Sequence, residues 1–308
     1  MLPLAEKYRP TKIADCILPT GIKKTFEDIV RTGDVPNMIL SGGAGCGKTT
    51  VAKAMCAELG LDCMFINASE DGGIDTLRTK IRNFASTVSL NGGKKVVILD
   101  EADYLNPQST QPALRGFIEE FAANCRFVMT CNFKSRIIDP LHSRCSVIDF
   151  KIPTKEKPEM AKGFLERVKM ILDTEEIKYD EKVLAALIVK HFPDFRRVLN
   201  IVQRYAASGG IDTGILASSD IAVSSLIESM KKKDFAGIRK WAAENSDKDI
   251  SAVYRSIYEG VSSALTPAAL AQAIIIIAEY QYKAAFVADQ EINLVACCLV
   301  LASDCAFT

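Results

Sequence analysis

Residues Ser41–Thr50 read SGGAGCGKTT, and within them Gly42-Gly43-Ala44-Gly45-Cys46-Gly47-Lys48-Thr49 spells a phosphate-binding loop, Gly-x-x-x-x-Gly-Lys-Thr. Met38-Ile39-Leu40 leads in as a strand, and Val51-Ala52-Lys53-Ala54-Met55-Cys56-Ala57 leads out as a helix. That context argues against the alternative, a plain glycine turn ahead of a helix. The chemistry explains the spelling. Glycines let backbone N–H groups close around the β- and γ-phosphates, Lys48 adds charge, and the Thr49 hydroxyl can ligate Mg²⁺. Gly42 to Thr50 is thus the candidate nucleotide cradle.

Working outward, five short apolar runs predict strands: Asn37–Ser41, Cys63–Asn67, Lys95–Leu99, Arg126–Thr130 and Ser146–Phe150. Helical or loop segments separate them, the alternation of a parallel five-stranded sheet with crossover helices. The fold class is therefore an α/β P-loop NTPase core. Lys95-Val96-Val97-Ile98-Leu99 runs into Asp100-Glu101-Ala102-Asp103. Alone, such acids more often make a solvated strand end. Beside a phosphate loop they read as a hydrolytic pair, with Asp100 holding Mg²⁺ through water and Glu101 polarising the attacking water.

The strand signal stops after Pro153. Residues 154 to 208 predict three helices ending at Ser208-Gly209-Gly210, and from about Ser218 the pattern is helical to the end. Ile221, Leu226, Ile227 and Met230 mark one apolar face, and Ile274 to Ile277 a buried segment. The expected domains are 1–152, 153–210 and 211–308. Another helix is expected over Asn106–Phe121, with Asn106 as cap and Pro107 as first residue.

Lys+Arg and Asp+Glu both number 38 of 308 residues, so no global basic field of a lone DNA-binding module exists. Nucleic-acid contact must be local or assembled from several subunits. The Met1-Leu2-Pro3-Leu4 start does not read as a signal peptide, and the apolar stretch Ala268 to Ala278 is too short to span a bilayer, so no membrane partner is expected. The 10 cysteines, with no C-x-x-C pair, point to a reducing cytoplasm and not to a disulfide framework. Cys297, Cys298 and Cys305 read as small core residues.

Residues 76 to 99 hold Arg78, Lys80, Arg82, Lys94 and Lys95 and no acid. Ile74, Leu77, Ile81, Phe84 and Val88 recur at helical spacing as the buried face, with Arg78 and Arg82 projecting together beside it. A solvated helix flank and a phosphate-binding surface stand as equal readings on these residues alone.

Glu6-Lys7-Tyr8-Arg9-Pro10, the phosphate loop, Asp100-Glu101-Ala102-Asp103, Ser143-Arg144-Cys145 and Pro193-Asp194-Phe195-Arg196-Arg197 follow one another in the order found in clamp-loader ATPases of the AAA+ class. The chain resembles replication factor C small subunits. It is similar also to the large, ATP-hydrolysing clamp-loader subunits of T-even-type bacteriophages, through Cys16-Ile17-Leu18-Pro19, Asn83-Phe84-Ala85-Ser86 and Phe192-Pro193-Asp194-Phe195-Arg196. The likeness is strong through about residue 205 and weak in the C-terminal helices.

The resemblance implies an AAA+ ATPase domain, a helical lid and an all-α collar for oligomerisation. It implies Tyr8, Arg9 and Pro10 against the adenine and Asn132 as the sensor that positions water near the γ-phosphate. Arg196 becomes the lid arginine that reaches the γ-phosphate of its own subunit. Arg144 becomes a finger entering the neighbouring subunit's site, a task suited to a permanently charged, bidentate guanidinium. Without the family, Tyr8 to Pro10 is a turn, Asn132 a strand-end cap, and Arg144 and Arg196 surface arginines. Arg115 and Glu119 match an arginine and a glutamate of the family's clamp-facing helix, and ion pairing explains them equally.

The resemblance also tips Arg78, Lys80 and Arg82 towards DNA, on a helix that lines the inside of a subunit spiral. Two departures stand out. Gly43-Ala44 and Cys46 replace the usual prolines and threonine, where backbone contacts tolerate change, and Gly72 stands where relatives carry Arg or Lys. The implied activity is DNA- and clamp-stimulated ATP hydrolysis that opens a ring-shaped sliding clamp and loads it on primer–template DNA. The partners would be copies of the chain and a distinct small subunit, in a pentamer, in the cytoplasm (the host's, if the source is viral). The rivals are another AAA+ DNA remodeller, such as a branch-migration motor or helicase loader, and a structural subunit that binds nucleotide without cleaving it.

Overall fold

The computed structural model describes residues 2–70, 73–89, 93–206, 210–211, 223–246 and 250–307. Gly72, Ser208, Gly209, Ser218 and Ile221 lie outside them. The chain divides into two compact units, Met1–Asp212 and Thr213–Thr308.

In the first unit, β1 (Met38–Ser41), β2 (Cys63–Asn67), β3 (Lys95–Asp100), β4 (Cys125–Cys131) and β5 (Ser146–Asp149) form one sheet in the order β2-β3-β4-β1-β5. Every pairing is parallel. The central strands read as unbroken apolar runs because helices cover both faces of the sheet. Alternate residues feed opposite layers. Ile39, Val97, Leu99, Phe127 and Met129 pack with Leu77 and Ile81 of α4 (Ile74–Ala85) and Leu114 and Phe117 of α5 (Thr110–Glu120). Met38, Leu40, Val96, Ile98 and Val128 pack with Phe26 and Ile29 of α2 (Thr20–Thr32) and Val51 and Met55 of α3 (Lys48–Glu58). A short α1 (Leu4–Lys7) precedes them and α6 (Asp139–His142) lies between β4 and β5. The helices α7 (Lys157–Thr174), α8 (Glu181–His191) and α9 (Phe195–Ala206) complete the unit.

Four local expectations need correction. Helix α5 starts at Thr110 and not Asn106. Pro112 has no N–H and must sit in the first turn. Asn106 instead caps a preceding turn, its Oδ1 accepting from the N–H groups of Gln108 at 2.8 Å and Ser109 at 3.1 Å. Val88 lies past the end of α4 and is exposed. Lys95 is buried, its ammonium donating to Phe84 O at 3.1 Å and to Thr87 Oγ1, so it belongs to no basic surface. Ile276 and Ile277 are buried but Ile274 and Ile275 are exposed. Four successive helical residues sweep most of a full turn and cannot share one face.

Among its described residues the second unit consists of the helices Val223–Lys232, Phe235–Asn245, Ile250–Ser262, Pro267–Lys283 and Gln290–Asp304, with an isolated antiparallel bridge between Leu265 and Phe307. Asp234, Thr266 and Asp289 cap three of them through side-chain oxygens. Its core includes Leu226, Met230, Trp241, Tyr254 and Ile257, and Cys297, Cys298 and Cys305 are buried in it. The wholly buried Tyr254 hydroxyl accepts from Asn293 Nδ2 at 2.8 Å, which satisfies it. Among the described residues, no helix is long and apolar enough to cross a membrane.

Candidate nucleotide site

The phosphate loop joins β1 to α3 over the carboxyl edge of the sheet, where ligands of open α/β sheets bind. The N–H of Gly42 donates to Cys131 O at 3.2 Å, tying the loop's first residue to β4. A β-carbon on Gly42 would stand 2.8 Å from Phe150 Cβ, so a side chain there is excluded. Gly45 and Gly47 have φ of +71° and +94°, which only glycine adopts at no cost. The buried Lys48 ammonium donates to Gly42 O and Gly43 O, both at 2.7 Å, and to Asn132 Oδ1 at 3.0 Å. Among the described residues, the N–H groups of Gly43, Ala44 and Gly45 have no acceptor. Those of Lys48, Thr49 and Thr50 open α3 and have none within it. Burial pushes the Cys46 thiol up, with the nearby Lys48 ammonium pulling the other way.

The acids at the end of β3 are tied to both neighbours. Asp100 Oδ1 accepts from Thr49 Oγ1 and from Thr130 Oγ1, each at 2.6 Å. The Glu101 N–H donates to Thr130 Oγ1 at 3.1 Å, and Glu101 itself is left-handed at φ 56°. One turn on, the buried Asp103 Oδ2 accepts from the N–H groups of Asn132 at 3.2 Å and Phe133 at 3.1 Å. Its Oδ1 is buried without a partner among the described residues.

A cleft runs from these groups to a more apolar end, lined by Tyr8, Pro10, Leu18, Phe164, Phe195 and Leu199. Phe164 and Phe195 stack at 4.4 Å between ring centroids, bringing α7 and α9 together behind it. The Tyr8 hydroxyl donates to Glu175, which raises its pKa, and Arg167 Nη2 donates to Tyr8 O at 3.2 Å. Arg9 pairs with Glu6, holding that carboxyl below the usual range, and its Nη1 donates to Thr50 Oγ1 at 3.3 Å. Arg196 enters the cleft from α9 and has no ion-pair partner among the described residues.

The structure thus brings Tyr8, Arg9, Pro10, Ala44 to Thr50, Asp100, Glu101, Asn132 and Arg196 to one cleft, with Gly42 and Gly43 behind Lys48. The unsatisfied N–H groups, the ammonium and the paired hydroxyl and carboxylate suit a nucleoside triphosphate and a hard divalent cation. Arg144 does not line the cleft. It binds Glu119 on α5, with Nη2 at 2.6 Å and Nε at 2.8 Å, and Pro140 O at 2.9 Å. Arg78, Lys80 and Arg82 also lie elsewhere, on α4. Arg78 is 4.0 Å from Asp75 and Arg82 3.6 Å from Glu120. Thr130 and Arg167 have no role in the sequence reading, and Asp103 enters it only as a member of the strand-end acids, with no role of its own. Thr130 sits inside an apolar run, and nothing short of the strand order reveals what it touches.

The model for AAA, "ATPase family associated with various cellular activities", matches residues 38–153. That for the AAA+ ATPase lid domain of the sliding-clamp-loader large subunit matches 156–217. The sliding-clamp-loader large subunit of Escherichia phage RB69 is 42% identical over 84% of this chain and 85% of its own length. The same-named protein of Enterobacteria phage T4 is 39% identical over 94% and 92%. The replication factor C small subunit of Methanocella arvoryzae is 37% identical over 65% and 62%. Among solved structures, a RuvB mutant of Thermotoga maritima superposes with a TM-score of 0.54 over 77% of this chain and 85% of that one, at 18% identity, a likeness of fold alone. With the phosphate loop, the strand-end acids and the lid helices of one unit gathered at a single cleft, the chain belongs to the AAA+ family of sliding-clamp-loader large subunits.

Proposed function

We propose that the chain is the ATP-hydrolysing subunit of a DNA polymerase sliding-clamp loader, which opens a ring-shaped clamp in its ATP state and releases it closed on primer–template DNA after hydrolysis. The observation that carries the hydrolytic part is the junction of cradle and acids. Lys48 meets Asn132, Thr49 meets Asp100, and Glu101 stands beside them. A subunit that only held nucleotide would have no use for Glu101 and Asn132 there.

In this reading the N–H groups of Gly43 to Gly45 and of the first turn of α3 hold the phosphates, and Lys48 exchanges a loop carbonyl for a phosphate oxygen. Thr49 and Asp100 would hold Mg²⁺, which supplies positive charge to the β- and γ-phosphate oxygens when bound. The Glu101 carboxylate orients a water and accepts its proton as the water oxygen bonds to the γ-phosphorus and the bridging bond breaks, giving ADP and phosphate. Asn132 fixes that water's place. Arg196 approaches the γ-phosphate from the lid, and Tyr8, Arg9 and Pro10 lie against the base and sugar.

Arg144 lies outside its own cleft, which supports its service to a neighbouring subunit's. The second unit, Thr213–Thr308, which makes up nearly all of the expected domain 211–308, exposes Ile275, Tyr282 and Phe286 along one helix and its end, an apolar stripe suited to assembly with copies of the chain and a distinct small subunit as a pentamer. Arg78, Lys80 and Arg82 would face the DNA in that cytoplasmic assembly.

Replacing Glu101 by Gln should lower turnover by roughly 10²- to 10⁴-fold with ATP affinity retained, whereas Lys48→Ala should lose ATP affinity itself. Steady-state hydrolysis and equilibrium nucleotide binding separate the two effects. Equal turnover for wild type and Glu101→Gln would remove Glu101 from the mechanism. Stimulation by clamp together with primer–template DNA distinguishes a loader from a DNA motor, which needs no clamp.

A further inference from the structure

Thr130 stands at the middle of the sheet with three neighbours to answer to. Its backbone pairs with Leu40 of β1, the strand that carries the phosphate loop. On its other side the ladder between β3 and β4 ends at Leu99 and Met129, one residue short of the acids. Beyond that point the Thr130 side chain takes over. Its hydroxyl donates to Asp100 Oδ1 at 2.6 Å and accepts the N–H of Glu101 at 3.1 Å. A single hydroxyl can do both at once. The residue is buried, with 2% of its surface exposed.

Glu101 needs such an anchor. Its left-handed backbone, φ 56°, is one that a glutamate disfavours and that persists only where surroundings hold it. Its carbonyl accepts from Tyr104 N–H at 3.0 Å, which fixes the downstream side of the peptide, and the Thr130 hydroxyl fixes the upstream side. The direction in which the carboxylate leaves the chain depends on both.

We propose that Thr130 is a positioning residue for hydrolysis, its hydroxyl setting the Glu101 backbone and the Asp100 carboxylate in one stroke while its main chain keeps them in register with the phosphate loop. The proposal rests on the role given to Glu101 above. Asp103 acts in parallel on the opposite strand end, where its carboxylate holds the N–H groups of Asn132 and Phe133. The two strand ends are thereby stapled reciprocally.

The test replaces Thr130 by Val, which keeps shape and strand preference and puts a methyl in place of the hydroxyl, and by Ser, which keeps the hydroxyl and deletes the methyl. Wild type and Glu101→Gln are measured beside them. Thr130→Val should lower kcat roughly tenfold to a hundredfold, with ATP affinity measured without divalent metal inside about twofold of wild type. Thr130→Ser should restore most of kcat. A purely structural role would lower thermal stability and ATP affinity together and would follow side-chain volume. Equal kcat for wild type and a folded Thr130→Val would overturn the proposal, as would a Thr130→Ser as slow as Thr130→Val. If Thr130→Val does not fold, the Ser variant decides alone, since retained kcat with the hydroxyl supports the proposal and lost kcat refutes it. Unaltered hydrolysis in Glu101→Gln would instead sink the reading of Glu101, whatever the Thr130 variants do.

Discussion

Gly45 shows how one residue can be dictated from two directions. Its φ is +71°, and a β-carbon built on it would stand 1.9 Å from Asp194 Oδ1, at the start of α9. Gly43, two residues earlier, has nothing within 4 Å of such an atom. Gly45→Ala should therefore destabilise the folded protein by about 1 to 3 kcal/mol and weaken ATP binding, while Gly43→Ala leaves thermal stability nearly unchanged. Thermal denaturation and nucleotide titration of both variants check this, and equal behaviour would mean that the loop relaxes around the added methyl. At this scale the sequence was legible where a motif fixes spacing, as for Lys48, Thr49 and Asp100. It was silent where a partner comes from a distant strand. Neither the contact of Asp194 with Gly45, nor Thr130 with Glu101, nor Asp103 with Asn132 is announced by anything local.

Helix α4 carries the basic residues proposed for DNA. Leu77 and Ile81 are buried against the sheet, while Arg78 and Arg82 keep about half or more of their side-chain surface exposed, at 53% and 62%. Their contacts with Asp75 and Glu120, at 4.0 and 3.6 Å, are exposed ion pairs of little worth. They leave both guanidinium groups available to phosphate. Replacing both by Ala should weaken primer–template binding to the assembled complex, with basal ATPase kept. The slope of log K against log salt should become shallower by about 0.9 for each duplex phosphate that an arginine no longer neutralises. The weakening should be similar for unrelated sequences, because phosphates carry no base identity. An unchanged slope in a folded, assembled mutant would leave these arginines as a solvated flank. Elements were read well where burial on both sides makes a run apolar, and every strand end fell within one residue. They were read badly where a residue's type hides its setting. Lys95 looks basic but is an interior hydrogen-bond donor, and Ile274 and Ile275 look like core but face outward.

At the scale of the molecule, the proposed reading has a second copy supply Arg144, which lies outside the cleft of its own chain. That side chain is held by Glu119 and Pro140 O in its own subunit, so a neighbour's phosphates would have to compete for it. Arg144→Ala should slow hydrolysis in the assembled complex with little effect on nucleotide affinity of the isolated chain. Mixing Arg144→Ala chains with Lys48→Ala chains should recover part of the activity, because an intact cradle can then sit beside an intact arginine. Stable mixed assemblies with no recovery would count against a shared site.

The strand order has a further consequence, for synthesis. Strand β1 lies between β4 and β5, both made long after it. The phosphate loop leaves the ribosome about 90 residues before Asn132, the difference between positions 42 and 132. At ordinary elongation rates that is a wait of roughly 5 to 20 s. Until β4 arrives, Met38, Ile39 and Leu40, none of which retains exposed surface in the finished fold, have no strand beside them. Pairings so distant in sequence close slowly. The nascent chain thus carries an apolar strand edge through the whole making of β2 and β3, and the part of the protein most recognisable in its sequence is made well before the strands that flank it.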